Sequence, residues 1–343
     1  MGLEAMEPVS ILRWGVIGTG GIASRFVEDV ALLPDAQVVA VGSRRQETAD
    51  EFARKHSVGH AHPAYDRLVT DDEVDAVYVA TPHPGHHDAA MMAIEAGKAV
   101  LVEKPFTMDA AEATSLVQAA RSRGTFLMEA MWTRFLPHVV RIRELLASDA
   151  LGEVRTVTSD HGQWFESDPT HRLFAPELGG GALLDLGIYP VSFTSMVLGT
   201  PAKVTAVSDP AFTGVDATTS VLLQHDGGAH GVVTTSLEAV GTNRAAILGT
   251  GARIEIDSVW YAPTSFSLIA RDGRVMERFA QELEGSGHRH QAVEVARCIR
   301  EGRTESDVMP LDETVAIMAT LDEVRRQIGL TYPGTHPLRP PPR

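Results

Sequence analysis

The chain has 343 residues, room for two domains of about 150 residues each, and with 44% hydrophobic residues it can bury a full core rather than stay disordered. Asp and Glu outnumber Lys and Arg by 45 to 30, and the formal charge of -15 repels phosphate backbones and anionic lipid, which argues against nucleic-acid and membrane partners. Cys298 is the one cysteine, so no internal disulfide forms; with no export signal in MGLEAMEPVS, the expected compartment is the cytoplasm.

In chain order, LRWGVIG from Leu12 predicts a strand, residues 22–33 a helix and QVVAVGS a second strand. That is a βαβ unit. Apolar runs at 75–80, 98–102 and 125–128 alternate with helix-like stretches at 47–56, 84–96 and 109–123. Residues 10–133 are therefore predicted to form a doubly wound parallel sheet of the α/β class. None of these runs nears the roughly 18 apolar residues of a membrane span.

The texture changes after about Met131. A helix at 136–147 and a strand at 153–161 precede two alternating runs that flank Asp226-Gly227-Gly228, the signature of an antiparallel hairpin. Strand-like runs at 244–248, 252–256 and 265–270, then helices at 290–300 and 311–328, complete the pattern. Residues 134–331 read as an α+β domain with an open, mainly antiparallel sheet. The Pro-rich tail, 332–343, is expected to be loose or draped on the surface.

Gly18-Thr19-Gly20-Gly21-Ile22-Ala23 matches GxGxxG/A between a strand and a helix. In that context Gly18 allows the tight turn, Gly20 lets backbone approach a pyrophosphate, and Ala23 permits close helix packing. A dinucleotide domain is the reading. An NAD-preferring strand carries Asp or Glu at its tip, about 20 residues on, whereas this one ends Val41-Gly42-Ser43-Arg44-Arg45. Ser43, Arg44 and Arg45 suit the 2′-phosphate of NADP, with NAD still possible.

Glu103-Lys104-Pro105 follows a strand directly, where the C-terminal edge of a parallel sheet faces the ligand cleft. Together with the glycine turn, Thr81-Pro82-His83 ending in His86, and the run from Gly179 through Asp185 to Tyr189, it resembles the glucose-fructose oxidoreductase / inositol dehydrogenase (Gfo/Idh/MocA) family over nearly the whole chain. The resemblance implies a Rossmann domain, a following open-sheet domain, and a nicotinamide meeting a sugar-like substrate between them. It makes Lys104 the catalytic lysine and sets Thr81, Pro82, His83, His86 and Glu103 beside the cofactor. Many inositol dehydrogenase-like members have Asp followed four residues later by His; here Asp185 is followed by Tyr189. That departure is similar to the branch holding dihydrodiol and D-xylose dehydrogenases.

Residues four apart lie about one helical turn apart, so Asp185 and Tyr189 are predicted to share a face. A nearby ammonium such as Lys104 would draw the phenol below its ordinary value near 10 and make Tyr189 an acid and base. His83, His86 and His87 lack a carboxylate pattern around them, so no metal is expected there. Trp132, Arg134, Trp164, Phe165 and Arg172 are candidates for an aromatic and cationic rim, the competing reading being core.

The expected activity is hydride transfer between NADP and a secondary or anomeric carbinol of a small cyclic polyol, such as an aldopyranose or a trans-dihydrodiol. The alternatives are a nicotinamide-dependent glycosidase of the same fold and a non-catalytic dinucleotide sensor. Residues 221–223 and 231–235 leave a second sheet face to be covered, which predicts a homodimer or homotetramer.

Overall fold

The computed structural model describes residues 11–336. Six parallel strands form the first sheet: β1 (Leu12–Ile17), β2 (Ala36–Gly42), β3 (His60–His62), β4 (Ala76–Val79), β5 (Ala99–Glu103) and β6 (Leu127–Ala130), in the order β3-β2-β1-β4-β5-β6. The order reverses between β1 and β4, which opens a crevice above the carboxyl ends of the strands. β4 and β6 are buried at every residue because helices cover both faces. α1 (Gly21–Val30), α2 (Gln46–His56), α3 (Tyr65–Val69), α4 (His86–Glu95) and α5 (Ala110–Arg123) supply that cover. The strands and longer helices follow the sequence pattern to within a few residues. β3 and α3 do not, since three and five residues are too few for periodicity to show.

An aromatic column runs through this core. Trp14 packs edge-on against Phe26, whose ring stacks on Tyr78 at 3.9 Å, and the Tyr78 hydroxyl donates to Glu103. The column ends at Glu103-Lys104, so core packing fixes where the strand delivers its lysine.

The second sheet has eight strands in the order β14-β13-β12-β11-β7-β10-β9-β8. They are β7 (Val154–Gly162), β8 (Lys203–Pro210), β9 (Asp216–Gln224), β10 (His230–Ser236), β11 (Ala245–Gly249), β12 (Ala252–Ile256), β13 (Phe266–Ala270) and β14 (Val275–Phe279). Only β7 and β10 pair in parallel. The hairpin forms as expected, with Val232 opposite Leu222 and Val233 opposite Val221. α7 (Ile188–Leu198) packs on β7 and β10, and α9 (Leu311–Ile328) on β8 and α7; α6 (Pro137–Ala147) is joined to β14 through Arg141 and Glu277, and α8 (Arg289–Arg300) packs on α1 of the first domain. Burial alternates along β9 and β10, so one face is core and the other is open.

Two features go beyond the sequence reading. The helical stretch Pro176–Leu198 is 23 residues long with a mean hydropathy of 1.4, long and apolar enough to span a bilayer, yet 83% of its most apolar window is buried inside the fold. It is the core helix of the second domain. The tail is docked where it begins: Tyr332 is buried and its hydroxyl donates to the Gly180 carbonyl, while the His336 N–H donates to Asp109 at 2.9 Å. Residues 337–343 lie outside the described residues, as does residue 10.

Candidate active site

The turn between β1 and α1 is built as its glycines require. Gly18 has φ +111°, and a Cβ there would sit 2.4 Å from the Ala80 carbonyl, so β4 can approach only a glycine. Gly20 caps α1 without a side-chain hydrogen bond, and its Cα and that of Gly21 face open space. The first-turn N–H groups of α1 are left pointing into a cavity of about 730 Å³. Ala23 is wholly buried under the helix.

The same cavity is lined by Gly18, Thr19, Gly20, Gly21 and Ile22 from that turn, and by Ser43 and Arg44 from the end of β2. Thr81, Pro82, His83, His86, Glu103 and Lys104 line it from the ends of β4 and β5. This is an elongated cleft with an anion-binding helix end, a cationic strand tip and a lysine at the far end. These residues fit a nicotinamide dinucleotide. Arg45 does not take part: its guanidinium turns back to Thr48 Oγ1 at 3.0 and 3.2 Å, just inside α2.

At the far end, the stretch Gly179 to Gly181 leads into a π-helical turn, Leu183–Gly187, and then α7. This entry is tied to its neighbours. Gly181 has φ +113°, and a Cβ there would lie 2.2 Å from Asp216 Oδ1. Asp216 Oδ2 accepts the Leu183 N–H at 2.7 Å and so holds the turn against β9. The wider π turn carries Asp185, and Tyr189 follows at the start of α7, both facing the cavity.

Lys104 Nζ donates to the Asp185 carbonyl at 2.8 Å, lies 3.4 Å from Asp185 Oδ1, and sits over the Tyr189 ring at 4.7 Å from its centroid. Arg172 grips the same carboxylate with both terminal nitrogens, at 2.9 and 3.2 Å, and His83 Nε2 is 3.4 Å from Oδ1. Burial would raise the Asp185 pKa, but Lys104, His83 and Arg172 hold it well below the ordinary carboxylate range. Burial alone would also lower the Lys104 pKa; Asp185, Tyr189 and Glu103 outweigh that and raise it, so the ammonium stays charged. Burial pushes Glu103 up to about 7, although the Tyr78 hydroxyl, the Lys104 ammonium and the Lys104 N–H all pull it down.

Tyr189 departs from expectation. Burial raises its phenol above the ordinary value, and Lys104 together with the Trp132 indole, which donates to Tyr189 Oη at 3.0 Å, only partly offsets this. The ammonium stands over the ring face. Tyr189 is thus a protonated phenol at neutral pH, with the Trp132 indole donating to its oxygen.

The histidines divide. His86 lines the cavity, but its ring nitrogens face the Pro105 and Thr81 carbonyls at 2.8 and 2.9 Å. Burial drives its pKa down to about 3, so the ring is neutral, donates to one carbonyl, and holds β4 against the Glu103-Lys104-Pro105 turn. His87 points instead to Asp88 and Ser115.

Of the rim candidates, Trp132, Phe165 and Arg172 line the cavity. Trp164 does not: it is 61% exposed, because the extended chain from β7 alternates and turns Gln163 and Phe165 inward. Arg134 does not either. It is buried in a two-pronged ion pair with Glu313 at 2.7 and 2.9 Å and bonds Ser192, tying the segment before α6 to α7 and α9. Sequence reasoning missed His161, Gln163, Tyr261 and His171 in the lining. His161 stacks on Tyr261 at 3.8 Å and meets Tyr189 edge-on at 5.2 Å; burial, then Lys104, lower its pKa to about 3, so it offers aromatic surface and no charge. The inward alternation 161, 163, 165 was a readable signal. Tyr261 had none, being brought in from 72 residues beyond Tyr189 in the chain.

Comparison with known proteins agrees with this architecture. Residues 12–131 match the model of an oxidoreductase family with an NAD-binding Rossmann fold, and residues 139–255 match the GFO/IDH/MocA C-terminal domain. The trans-1,2-dihydrobenzene-1,2-diol dehydrogenase of Bos taurus is 39% identical over 335 residues, covering 94% of this chain and 98% of its own; that of Homo sapiens is 39% identical over 330, with the same coverage. Among solved structures, an aldose-aldose oxidoreductase from Caulobacter crescentus, complexed with glycerol, superposes with a TM-score of 0.84 at 25% identity over 92% of this chain and 97% of its own. A 3-ketoreductase from Actinomadura kijaniata, in complex with NADP and TDP-benzene, gives 0.81 at 27% identity over 93% and 98%. The chain belongs to the GFO/IDH/MocA oxidoreductase family, carrying both of its domains in order.

Proposed function

We propose that this protein is an NADP-dependent dehydrogenase that oxidises a secondary or anomeric carbinol of a small cyclic diol or sugar and also runs the reverse reduction. One observation carries the reading: Lys104, Asp185 and Tyr189 converge at one end of a cavity whose other end is the glycine turn and Arg44. A nicotinamide, when bound, supplies the hydride acceptor or donor. Tyr189 takes the carbinol proton in oxidation and returns it in reduction, Lys104 stabilises charge on the reacting oxygen, and Asp185 positions Lys104. Trp132, Phe165, His161 and Tyr261 exclude water and present flat faces to a ring. The names of the relatives support a diol or sugar substrate.

The test is a screen of aldopyranoses, inositols and trans-dihydrodiols with NADP and NAD, followed by absorbance of the reduced nicotinamide. Stoichiometric accumulation of reduced cofactor with one substrate class is expected. Sugar release without such accumulation would favour a glycosidase, and no turnover at all would favour a sensor.

Because burial raises the Tyr189 phenol, its base form grows only as pH rises toward and beyond the free value near 10. Oxidation is therefore expected to accelerate from pH ~6 through ~9 at saturating cofactor, whereas reduction, which uses the protonated phenol, stays level over that range. An oxidation rate that fell across it would point to another base.

A homodimer or homotetramer assembled on the second sheet is also part of this proposal. The ladder aligns Thr205, Leu222, Val232, Thr158 and Ala246 in one outward row, with Leu222 and Val232 each more than 40% exposed. Rows of apolar and hydroxyl side chains on a flat sheet suit self-association. Sedimentation at micromolar concentration should give a multiple of the 36.9 kDa chain mass; the mass of one chain would count against it.

A further inference from the structure

We propose that His60, His62 and Asp71 form a binding site for a zinc-class divalent cation at the edge of the parallel sheet. The residues come from two places that the fold brings together. His60 and His62 are the ends of β3, a His-Ala-His strand, so both side chains leave the same face. Among the described residues β3 is the last strand of its sheet and pairs with β2. Asp71 stands just after α3, in the connection to β4.

The geometry converges on one oxygen. His60 Nδ1 lies 2.7 Å and His62 Nε2 2.9 Å from Asp71 Oδ2, and the three potential ligand atoms all fall within 4.8 Å of one another. The supports around them are those of a ligand set. Asp71 Oδ1 is occupied by the Glu73 N–H at 2.9 Å, which leaves Oδ2 to face the histidines. The outer nitrogen of His60 is 3.7 Å from Glu73 Oε2, an outer carboxylate of the kind that orients a ligating imidazole. Lys98 Nζ donates to the Asp71 and Val74 carbonyls at 3.0 and 2.7 Å and pins the loop. Exposure rises from 9% at the Asp71 side chain to 22% at His62 and 43% at His60, so a fourth position opens to water.

Two imidazoles and one carboxylate match the preferences of zinc and exclude magnesium and calcium, which demand shells of oxygen. With metal bonds of about 2.0 to 2.2 Å, a tetrahedral ion holds its ligand atoms about 3.3 to 3.6 Å apart, so Asp71 Oδ2 must stand roughly 0.4 to 0.9 Å farther from each imidazole nitrogen than the 2.7 and 2.9 Å seen here, a shift the exposed His60 and the partly exposed His62 allow. The competing arrangement is a hydrogen-bonded trio with no ion, in which both rings donate to Asp71. None of the three residues lines the catalytic cavity, so the proposal stands independently of the dehydrogenase reading. The site does touch the cofactor end, since the Ser43 N–H donates to the His62 carbonyl at 3.1 Å.

The experiment uses the full-length protein stripped with chelator, titrated with Zn²⁺ by calorimetry and with Co²⁺ by visible absorption. One equivalent of Zn²⁺ is expected, with intense Co²⁺ bands of the tetrahedral type. His62→Ala and Asp71→Asn should each weaken binding by at least ~100-fold, and Glu73→Gln by about 10- to 100-fold. Zinc should raise the unfolding midpoint of the wild type and not that of His62→Ala. Should Asp71→Asn fail to fold, His62→Ala and His62→Gln decide the matter, because His62 is a partly exposed residue of the edge strand. An unliganded wild type at millimolar zinc, or binding unchanged in the His62 variants, overturns the proposal.

Discussion

Replacing Lys104 by Met, or Tyr189 by Phe, is expected to lower turnover by about 10²- to 10⁴-fold, the contribution of a positioned acid/base group, while cofactor affinity changes little. The two changes attack one unit. Tyr189→Phe keeps the ring under Lys104 and against His161 and Tyr261, and removes only the oxygen that accepts from Trp132. Lys104→Met keeps most of the side-chain volume and removes the charge that offsets Asp185. Since the groups act on the same proton, the double variant should lose about as much as the worse single one, not the product. Lys104→Met leaves Asp185 to Arg172 and His83, so its fold is checked by circular dichroism and its cofactor site by fluorescence titration. Near-wild-type turnover in either folded variant would remove the assignment.

What could be read from the chain followed from local rules. The GxGxxG/A turn needs only the left-handed Gly18 and an uncapped helix start, and both are consequences of residue type. Lys104 could be placed because a parallel strand delivers its end to one edge of the sheet. Arg134 and Trp132 sit two residues apart in one short motif, yet one went to a buried ion pair and the other to the cavity. Nothing local decides that, because Glu313 lies 179 residues away. The sign of the Tyr189 shift was illegible for a related reason. Proximity of a lysine is suggested by sequence, but burial depends on Tyr261, His161 and Trp132 closing around the phenol, and burial is the larger effect.

Arg44→Ala is expected to raise the Michaelis constant for NADP far more than that for NAD. Ser43 and Arg44 line the cavity where β2 ends, and the acidic residues lining that cavity, Glu103 and Asp185, both stand at its catalytic end. Among the described lining residues no carboxylate therefore stands there to meet a ribose 2′-hydroxyl, whereas the Arg44 guanidinium could meet a 2′-phosphate. A charge-assisted contact contributes roughly 1.5 to 3 kcal/mol, so its loss should cut NADP selectivity by about 10- to 150-fold. Arg45 should contribute little, since Thr48 already engages its guanidinium. Ser43→Asp makes the complementary change: the backbone at this tip is fixed by the bond to the His62 carbonyl, so the new carboxylate stays beside the phosphate position, repels it and shifts preference toward NAD. If Arg44 instead stacks on the adenine of either cofactor, Arg44→Ala will weaken both equally. Initial-rate measurements with each cofactor at saturating substrate separate the two cases, and equal losses would overturn the preference for NADP.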